Sequence, residues 1–315
     1  MPEATEKLAR VRAYLKQRRL DAVVFNTRAN FAWLSGGGDN HVVAQSESGF
    51  GALVVTPKQA LVVANRIEID RLTSEESLSE FTPKSFPWIQ PLREALPKLV
   101  SGKAVVSDDP AATGLPGLPD DFNHQVRASL SEAEIRRYKA LGRDCALVIE
   151  TVCRQIAVGD SEHQVEADLA RHLLARGVQP SVLLVAFDER IHKHRHPTPT
   201  AKHLRKHAML VVCGQRGGLI ASLTRFIHFG ALSTELAAKH EAVCRVEAAL
   251  WEATVVGKSA LLYSGASPPR PCGPAPTGLV VARLRRLRLL SRGRLCLAHC
   301  IRPPPLGRPA LFSVA

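Results

Sequence analysis

The chain of 315 residues is 45% hydrophobic and 23% charged, which is typical of a folded globular protein and excludes global disorder. Its 42 basic and 29 acidic residues give a net charge of +13, a balance that favours nucleic-acid binding. However, residues 255–315 contain nine Arg, one Lys and no acid, so residues 1–254 hold 32 basic and 29 acidic residues and carry only +3. The basic character therefore belongs to the carboxy-terminal segment.

The opening segment, MPEATEKLARVRAYLKQ, has acids, bases and apolar residues at helical spacing, which predicts an amphipathic helix and not a secretory signal. No stretch approaches the roughly 18 apolar residues of a membrane-spanning helix. Seven irregularly spaced Cys do not indicate a disulfide framework. We therefore predict a cytoplasmic protein without a membrane partner.

Residues 1–126 alternate between helical and strand-like patterns, which predicts an α/β domain. The apolar run Ala22–Phe25 indicates a buried strand, and residues 52–55 and 60–64 flank a turn as the two strands of a hairpin. Residues 107–123, SDDPAATGLPGLPDDFN, are rich in Pro, Gly and Asp. This composition predicts a connection between two domains.

Residues 127–254 are predicted to form a second domain of the α+β class. Ser131 and Glu134 have the spacing of a helix capping box, and Ser161 or Asp160 is suited to cap the next helix. Further predicted elements are strands at 182–187, 209–213 and 219–227 and a helix at 233–253.

Residues 255–315 form a basic, Pro-rich and Arg-rich tail that we predict to be irregular. Its Cys296, His299 and Cys300 suggest a zinc site, but structural zinc sites need two spaced ligand pairs and only Cys272 remains to complete one. The Arg283–Arg294 run lacks the aromatic residues that stack on bases, so we predict no nucleic-acid partner. A GC-rich gene that is translated out of frame yields this composition, and we hypothesise a frameshift near codons 254–258.

Three stretches together resemble the creatinase / Xaa-Pro aminopeptidase family (peptidase M24), whose catalytic domain has the pita-bread fold. They are the opening LARVRAYLKQRRLDAVV with NFAWLSG, the segment SEAEIRRYKALGRDCALVIETVCRQIAVGDSEHQVEADLARHLLARG, and HPTPT followed by MLVVCGQRGGLIASLTRFIHFG. The resemblance covers about residues 6–254. It implies a creatinase-like amino-terminal α/β domain, the first half of a pita-bread domain over residues 127–254, and a chain truncated relative to the family.

The resemblance implies a hydrolase with two divalent metals held by two Asp, one His and two Glu. Cys213 stands where the first Asp is expected and Ser222 where the second is expected. The other three ligands are expected after Thr254, where the chain has one His and no acid. Carboxylates are needed to neutralise two closely spaced cations. We therefore predict no metal ligand and no cofactor in this chain.

His196 is the catalytic residue that the resemblance leaves in place. In the family, the His before such a Pro-containing turn contacts substrate, and a neutral imidazole near pH 7 suits proton transfer. The creatine-hydrolysing branch works without metal but needs carboxylates for the guanidino group, and Thr224 stands at the first of these positions. The resemblance therefore predicts an Xaa-Pro peptidase-like or amidinohydrolase-like enzyme that is inactive or metal-independent.

Simpler explanations exist for each of these residues. His196 follows His192 and His194, which is also the pattern of an exposed His-rich loop. Cys213 is also explained as a small, buried apolar side chain at a strand end. Ser222 and Thr224 are explained as ordinary residues of a β-strand. An exposed loop explains the acid pair Asp188-Glu189, and an ordinary turn explains Gly36–Gly38.

The alternative function is a non-catalytic pseudoenzyme that binds a peptide or small ligand. The missing Asp pair favours this alternative for the present chain. The expected partners are a peptide or small-molecule substrate and, as a further expectation, a second copy in a homodimer.

Overall fold

The computed structural model describes residues 3–255 together with the backbone of residues 310–314. Two compact units are formed, an amino-terminal unit of Met1–Leu141 with Gln215–Ile220 and a second unit of Gly142–Gly214 with Ala221–Ala315. The boundaries that composition predicts, after residues 126 and 254, stay a prediction. Within the described residues, no helix is both long and apolar enough to cross a membrane.

The amino-terminal unit alternates helices with strands, as its sequence pattern predicts. Its strands are β1 (Ala22–Thr27), β2 (Ser48–Val55), β3 (Ala60–Asn65), β4 (Thr82–Phe86) and β5 (Val105–Ser107). Its helices are α1 (Glu3–Arg18), α2 (Arg28–Ser35), α3 (Ile69–Glu75), α4 (Leu92–Leu99), α5 (Pro110–Thr113), a π-helical turn at Asn123–Arg127 and the first turns of α6 (Glu132–Gln155).

The five strands form one mixed sheet in the order β4-β3-β2-β1-β5. The predicted hairpin is confirmed, because β2 and β3 pair antiparallel with Val55 opposite Ala60. β1 is antiparallel to β2 and parallel to β5. The carboxyl ends of β1 and β5 therefore meet at one edge of the sheet, as parallel pairing requires.

Both faces of this sheet are covered, which explains the uninterrupted apolar run in β1. Val23 and Phe25 point into one core, which also contains residues of α1 and α2. Ala22 and Val24 point into the opposite core with Ala95 and Leu96 of α4. The predicted α/β class of this region is confirmed.

The Pro- and Gly-rich stretch of residues 107–123 contains more regular structure than its composition predicts. It includes the last residue of β5 and the single-turn helix α5. The carboxylate of Asp109 caps this helix by accepting a hydrogen bond from the amide of Ala112, and Pro110 occupies the first helical position. Pro is tolerated there because the first amide of a helix has no intrahelical partner.

The second unit contains the rest of α6 and the elements α7 (Glu162–Leu174), β6 (Gln179–Phe187), α8 (Arg190–Lys193), β7 (His207–Arg216), β8 (Leu219–His228) and α9 (Thr234–Ala253). These bounds match the predicted helices and strands closely, and the predicted α+β class of this region is confirmed. Both predicted helix starts are also confirmed. Ser131 and Glu134 form a reciprocal capping box, as do Ser161 and Gln164.

The sheet of the second unit has the order β6-β7-β8-β9, where β9 is Ala310–Val314. β9 pairs antiparallel with β8, Thr224 lying opposite Val314. The prediction of a wholly irregular tail misses this strand, which forms where the short apolar run ALFSV meets the open edge of β8. The other tail features that the sequence suggests, including Cys296, His299 and Cys300, lie outside the described residues.

Candidate functional site

Two positions that the resemblance assigns to metal ligands lie side by side in the second unit. Cys213 is on β7 and Ser222 is on β8, and these strands are joined by the two-residue turn Gly217-Gly218. The hydroxyl of Ser222 donates a hydrogen bond to the sulfur of Cys213 over 3.2 Å. The short turn forces adjacent antiparallel pairing and so brings together two residues that are nine positions apart.

Gly214, next to Cys213, allows β7 to pack closely on α6. A β-carbon built at Gly214 lies 2.4 Å from the sulfur of Cys145 and 2.7 Å from Val178. Real side chains do not tolerate such distances, so any larger residue here displaces the helix or the strand. The glycine therefore serves the packing beneath the Cys213–Ser222 pair.

Cys213 is not the fully buried apolar residue that the simpler explanation predicts. It is partly exposed, whereas Cys145 and Cys153 are buried. Burial raises the pKa of the Cys153 thiol to about 12, although the positive charge of Arg225 opposes this effect. Cys153 is therefore a protonated, structural thiol at neutral pH.

Arg225, close to Ser222 on β8, is almost completely buried. Its guanidinium lies 3.4 Å from the carboxylate of Glu150 on α6 and donates a hydrogen bond to the carbonyl oxygen of Thr224 over 3.0 Å. A buried cation needs a counter-ion, so this pair fixes β8 on α6. Thr224 lies two residues after Ser222 and so faces the same side of the strand.

The side chain of His196 is exposed on the loop between α8 and β7. It forms no hydrogen bond or ion pair with another residue of 3–255, while the next residue, Pro197, is buried. His192 and His194 are exposed as well. The structure therefore places all three imidazoles on the surface of α8 and the loop that follows it, which both the catalytic and the His-rich-loop interpretation allow.

The loop that carries His196 is fastened by one buried carboxylate. Glu162, at the first position of α7, is 0% exposed. It accepts hydrogen bonds from the amide of Phe187 over 2.9 Å and from the amide and hydroxyl of Thr200 over 2.8 and 2.6 Å. It also pairs with Arg190. Because these donors come from both ends of the segment around His196, Glu162 fixes where the loop begins and ends.

Other contacts reinforce the same loop. Arg190 donates to the carbonyl oxygen of Thr198 over 2.8 Å. The imidazole of His163 on α7 lies 3.2 Å from the carbonyl oxygen of Pro199. Helix α7 therefore holds the loop through its first two residues.

The acid pair Asp188-Glu189 is more than an exposed loop. Asp188 has a positive φ of 53°, and its carboxylate accepts hydrogen bonds from the amides of Arg205, Lys206 and His207 over 2.9–3.1 Å. Glu189 pairs with Lys202 over 2.6 Å. The hydrogen bond from Lys202 lowers the pKa of Glu189 to about 2. The prediction of a merely exposed pair is therefore wrong for Asp188, which organises the turn into β7.

At the far end of the β7–β8 hairpin, His207 stacks on Phe226 with ring centres 5.8 Å apart and lies 5.4 Å from His228. Burial is the main cause that lowers the pKa of His207, and the neighbouring His228 acts in the same direction. Both imidazoles are therefore packing residues of the hairpin.

Comparison with known proteins supports the resemblance. Residues 7–135 match the family model of the creatinase/prolidase N-terminal domain. The structure is similar to that of the prolidase from Pyrococcus horikoshii OT3, with 16% identity and a TM-score of 0.64, over 78% of this chain and 71% of that one. The predicted resemblance to the creatinase family is confirmed.

Two further structures extend the comparison. The dipeptidase PepE from Mycobacterium ulcerans is 19% identical with a TM-score of 0.59, over 79% of this chain and 70% of that one. The X-prolyl aminopeptidase from Caenorhabditis elegans, a cytosolic enzyme with a di-nuclear active site, is 15% identical with a TM-score of 0.51, over 74% of this chain and 42% of that one. No curated protein sequence matches the chain. The fold is therefore that of the prolidases, at low sequence identity.

The donor set at the Cys213–Ser222 pair does not fit the dinuclear metal centre of this family. The pair offers one sulfur and one hydroxyl oxygen, and the hydroxyl proton is already donated to the sulfur. Two hard or borderline cations require several anionic oxygen ligands. Among the described residues, no group of three or more His, Cys, Asp and Glu is arranged to hold a metal ion.

The sequence pattern indicates His196, Cys213 and Ser222 as candidate residues but gives no signal for Glu162. In the sequence Glu162 is simply an acid after the capping Ser161, where the helix dipole alone explains a negative charge. Its partners Phe187 and Thr200 are 25 and 38 residues away, and no local sequence pattern predicts such contacts. The anchoring of the His196 loop thus depends on a residue that only the three-dimensional structure identifies.

Proposed function

We propose that this prolidase-like protein binds a proline-containing peptide or a similar small ligand and does not hydrolyse it through a dinuclear metal centre. The hydrogen-bonded Cys213–Ser222 pair carries the proposal. A thiol and a hydroxyl that satisfy each other supply no anionic oxygen to a pair of divalent cations. After Val255 the chain has one His and no acid, so the remaining family ligands have no counterpart in the sequence.

His196 is the residue that we propose to contact the ligand. Its imidazole is exposed and is not engaged by another residue of 3–255, so it is available to an incoming group. The loop around it is nevertheless held by Glu162, Arg190 and His163. A fixed loop with an unengaged imidazole is suited to recognition, because little ordering entropy is lost on binding.

Binding of an Xaa-Pro dipeptide, measured by calorimetry, tests this proposal. We expect binding that is unchanged by chelators and lost in His196→Ala, together with substoichiometric metal content and no turnover. His194→Ala, two residues away on the same exposed loop, is the matched control and should bind as the wild type does. Equal binding by His196→Ala, or two bound metals per chain with turnover, contradicts the proposal.

A metal-independent hydrolase is the second candidate, with His196 as the acid/base group. The exposed and unengaged imidazole favours it as well, since general acid-base catalysis needs a titratable group within reach of substrate. Turnover of an Xaa-Pro peptide that survives chelation, but is lost in His196→Ala and retained in His194→Ala, distinguishes this function from simple binding.

We also propose that the protein is cytoplasmic and that residues 255–315 arise from out-of-frame translation. The location is supported by the description of the Caenorhabditis elegans relative as a cytosolic enzyme. The origin of the tail is supported by its nine Arg, nine Pro and lack of acids. Sequencing the gene and measuring the intact mass tests the origin, because an intact single frame ending at Ala315 contradicts it.

A further inference from the structure

We infer that the amino-terminal unit has a second binding site, a basic groove at the end of α1 that accepts an extended acidic segment of a partner protein. The groove has a volume of about 600 Å³, within the range of small ligand sites. Its wall is formed by Arg12, Lys16 and Arg19, and Pro57 closes it from the β2–β3 turn. It shares no residue with the His196 loop and is independent of the proposed function.

The three cations of the groove are free to attract an anion. None of Arg12, Lys16 and Arg19 forms an ion pair with a described residue, although Arg12 donates a 3.3 Å hydrogen bond to the carbonyl oxygen of Thr56. By contrast, the neighbouring Arg10 and Arg18 are paired with Glu6 and Asp121. The unpaired charges are therefore gathered on the face of α1 that borders the groove.

The one carboxylate in the groove does not cancel these charges. Asp21 accepts hydrogen bonds from the amides of Lys103 and Ala104 over 2.8 and 2.9 Å. These bonds lower its pKa, so it stays ionised, but they direct its acceptor oxygen toward the backbone. The groove therefore has three cations against one engaged anion.

The backbone of Arg19 gives independent support. Arg19 has a left-handed φ of 54° at the end of α1, where the amide of Leu20 bonds to the carbonyl oxygen of Leu15 over 2.9 Å. Glycine is strongly preferred at this position of a helix terminus because a β-carbon is strained there. An arginine at a position that favours glycine supports a use for its side chain, because strained residues concentrate at functional sites.

The lining of the groove identifies the class of ligand. Apolar contacts come from Leu20 and Pro57, and none of the lining residues is aromatic or an amide. Bases are recognised by aromatic stacking and by amide hydrogen bonds, so the lining disfavours a nucleic acid. Arg12 and Lys16 are four residues apart on α1, roughly 6 Å along the helix axis. An extended peptide spans this distance with alternate acidic side chains on one face and aliphatic ones toward the floor.

Fluorescence anisotropy with a labelled peptide of alternating Glu and Leu tests the inference on the full chain. Residues 255–315 carry ten basic residues in every variant, so any unspecific binding by them cancels in the difference between variants. We expect Lys16→Glu to weaken binding about tenfold. Lys98→Glu, an exposed lysine on α4 of the same unit, is the matched control and should bind as the wild type does.

Arg19→Gly separates binding from folding. Glycine relieves the left-handed strain, so we expect an unchanged or higher Tm together with weaker binding of the acidic peptide. A variant that gains stability and loses affinity supports a ligand role for Arg19. A variant that binds as the wild type does contradicts it.

Three other outcomes overturn the inference. Equal binding by wild type and Lys16→Glu assigns the binding to the tail. Equal binding of a Gln and Leu peptide shows that charge does not matter. Binding of an oligothymidylate that is lost in the same groove variants assigns the groove to a nucleic acid instead of a protein.

Discussion

Each unit begins a long helix with a capping Ser and a buried Glu in the first turn, but the two glutamates have different roles. At the start of α6, Glu134 is the third helical residue and completes the capping box with Ser131. At the start of α7, Gln164 has that task and Glu162 occupies the first helical position. The neutral glutamine leaves the carboxylate of Glu162 for distant partners.

The partners of the two glutamates differ accordingly. Glu134 lies 3.1 Å from the ammonium group of Lys7, which is 0% exposed and also contacts Glu3 over 2.6 Å. Burial lowers the pKa of Lys7, while both carboxylates act against this shift. Glu162 instead accepts hydrogen bonds from backbone amides and forms an ion pair with Arg190. One glutamate joins two helices, and the other fixes a loop.

The largest effect is expected from Glu162→Gln. The amides of Phe187 and Thr200 compete for one carbonyl oxygen, and Arg190 loses its counter-ion, so the free energy of unfolding should fall by about 2–4 kcal/mol. Urea unfolding measures this change, and limited proteolysis should cut the loop around His196 faster. Asp168→Asn, an exposed acid on the same helix, should change stability by less than about 0.5 kcal/mol. Equal losses in both variants contradict a special role of Glu162.

A smaller effect is expected from Glu134→Gln. Glutamine also completes a capping box, so the variant removes only the charge that faces Lys7. Because Lys7 keeps Glu3 and the carbonyl oxygen of Trp33, the loss should be about 1–2 kcal/mol. The reverse change in α7, Gln164→Glu, should be neutral within about 0.5 kcal/mol. Thermal unfolding of both variants measures the difference, and a neutral Glu134→Gln contradicts the proposed ion pairing.

The smallest effect is a difference in acid response between the units. Although burial opposes it, hydrogen bonds from Arg137 and Lys7 lower the pKa of Glu3 from 4.5 to about 2. The unfolded chain therefore takes up this proton first, and the amino-terminal unit loses stability only as the pH falls from 4.5 toward 2. The pKa of His207 is lowered from 6.5, so the second unit should start to lose stability below pH 6.5.

Hydrogen exchange of peptides from α1 and from the β7–β8 hairpin, corrected for the intrinsic pH dependence, measures the two responses separately. The loss of protection below pH 6.5 should disappear from the hairpin in His207→Gln and remain unchanged in Arg137→Gln. Loss of protection in both units over the same pH range contradicts the assignment.

Local contacts were predictable from the sequence, and distant ones were not. The box of Ser131 and Glu134 needs only a three-residue spacing and a helix. The strands that carry Cys213 and Ser222 were predicted as well, but the hydrogen bond between the two residues was not. In contrast, the anchoring of the His196 loop by Glu162 depends on how α7 packs, and the burial of Lys7 depends on α6. Asp188 was predicted as an exposed acid because its amide partners at residues 205–207 are specified by tertiary structure alone.

The turn of the β7–β8 hairpin has a consequence for how the protein is made. Residues 215–220 belong to the amino-terminal unit, where the carbonyl oxygen of Ile220 accepts a hydrogen bond from Tyr138 over 2.8 Å. A β-carbon at Gly218 lies 2.7 Å from that of Ala32, so the turn lies directly against α2. During synthesis the amino-terminal unit therefore stays incomplete until residue 220 has left the ribosome, although its own sheet ends more than a hundred residues earlier.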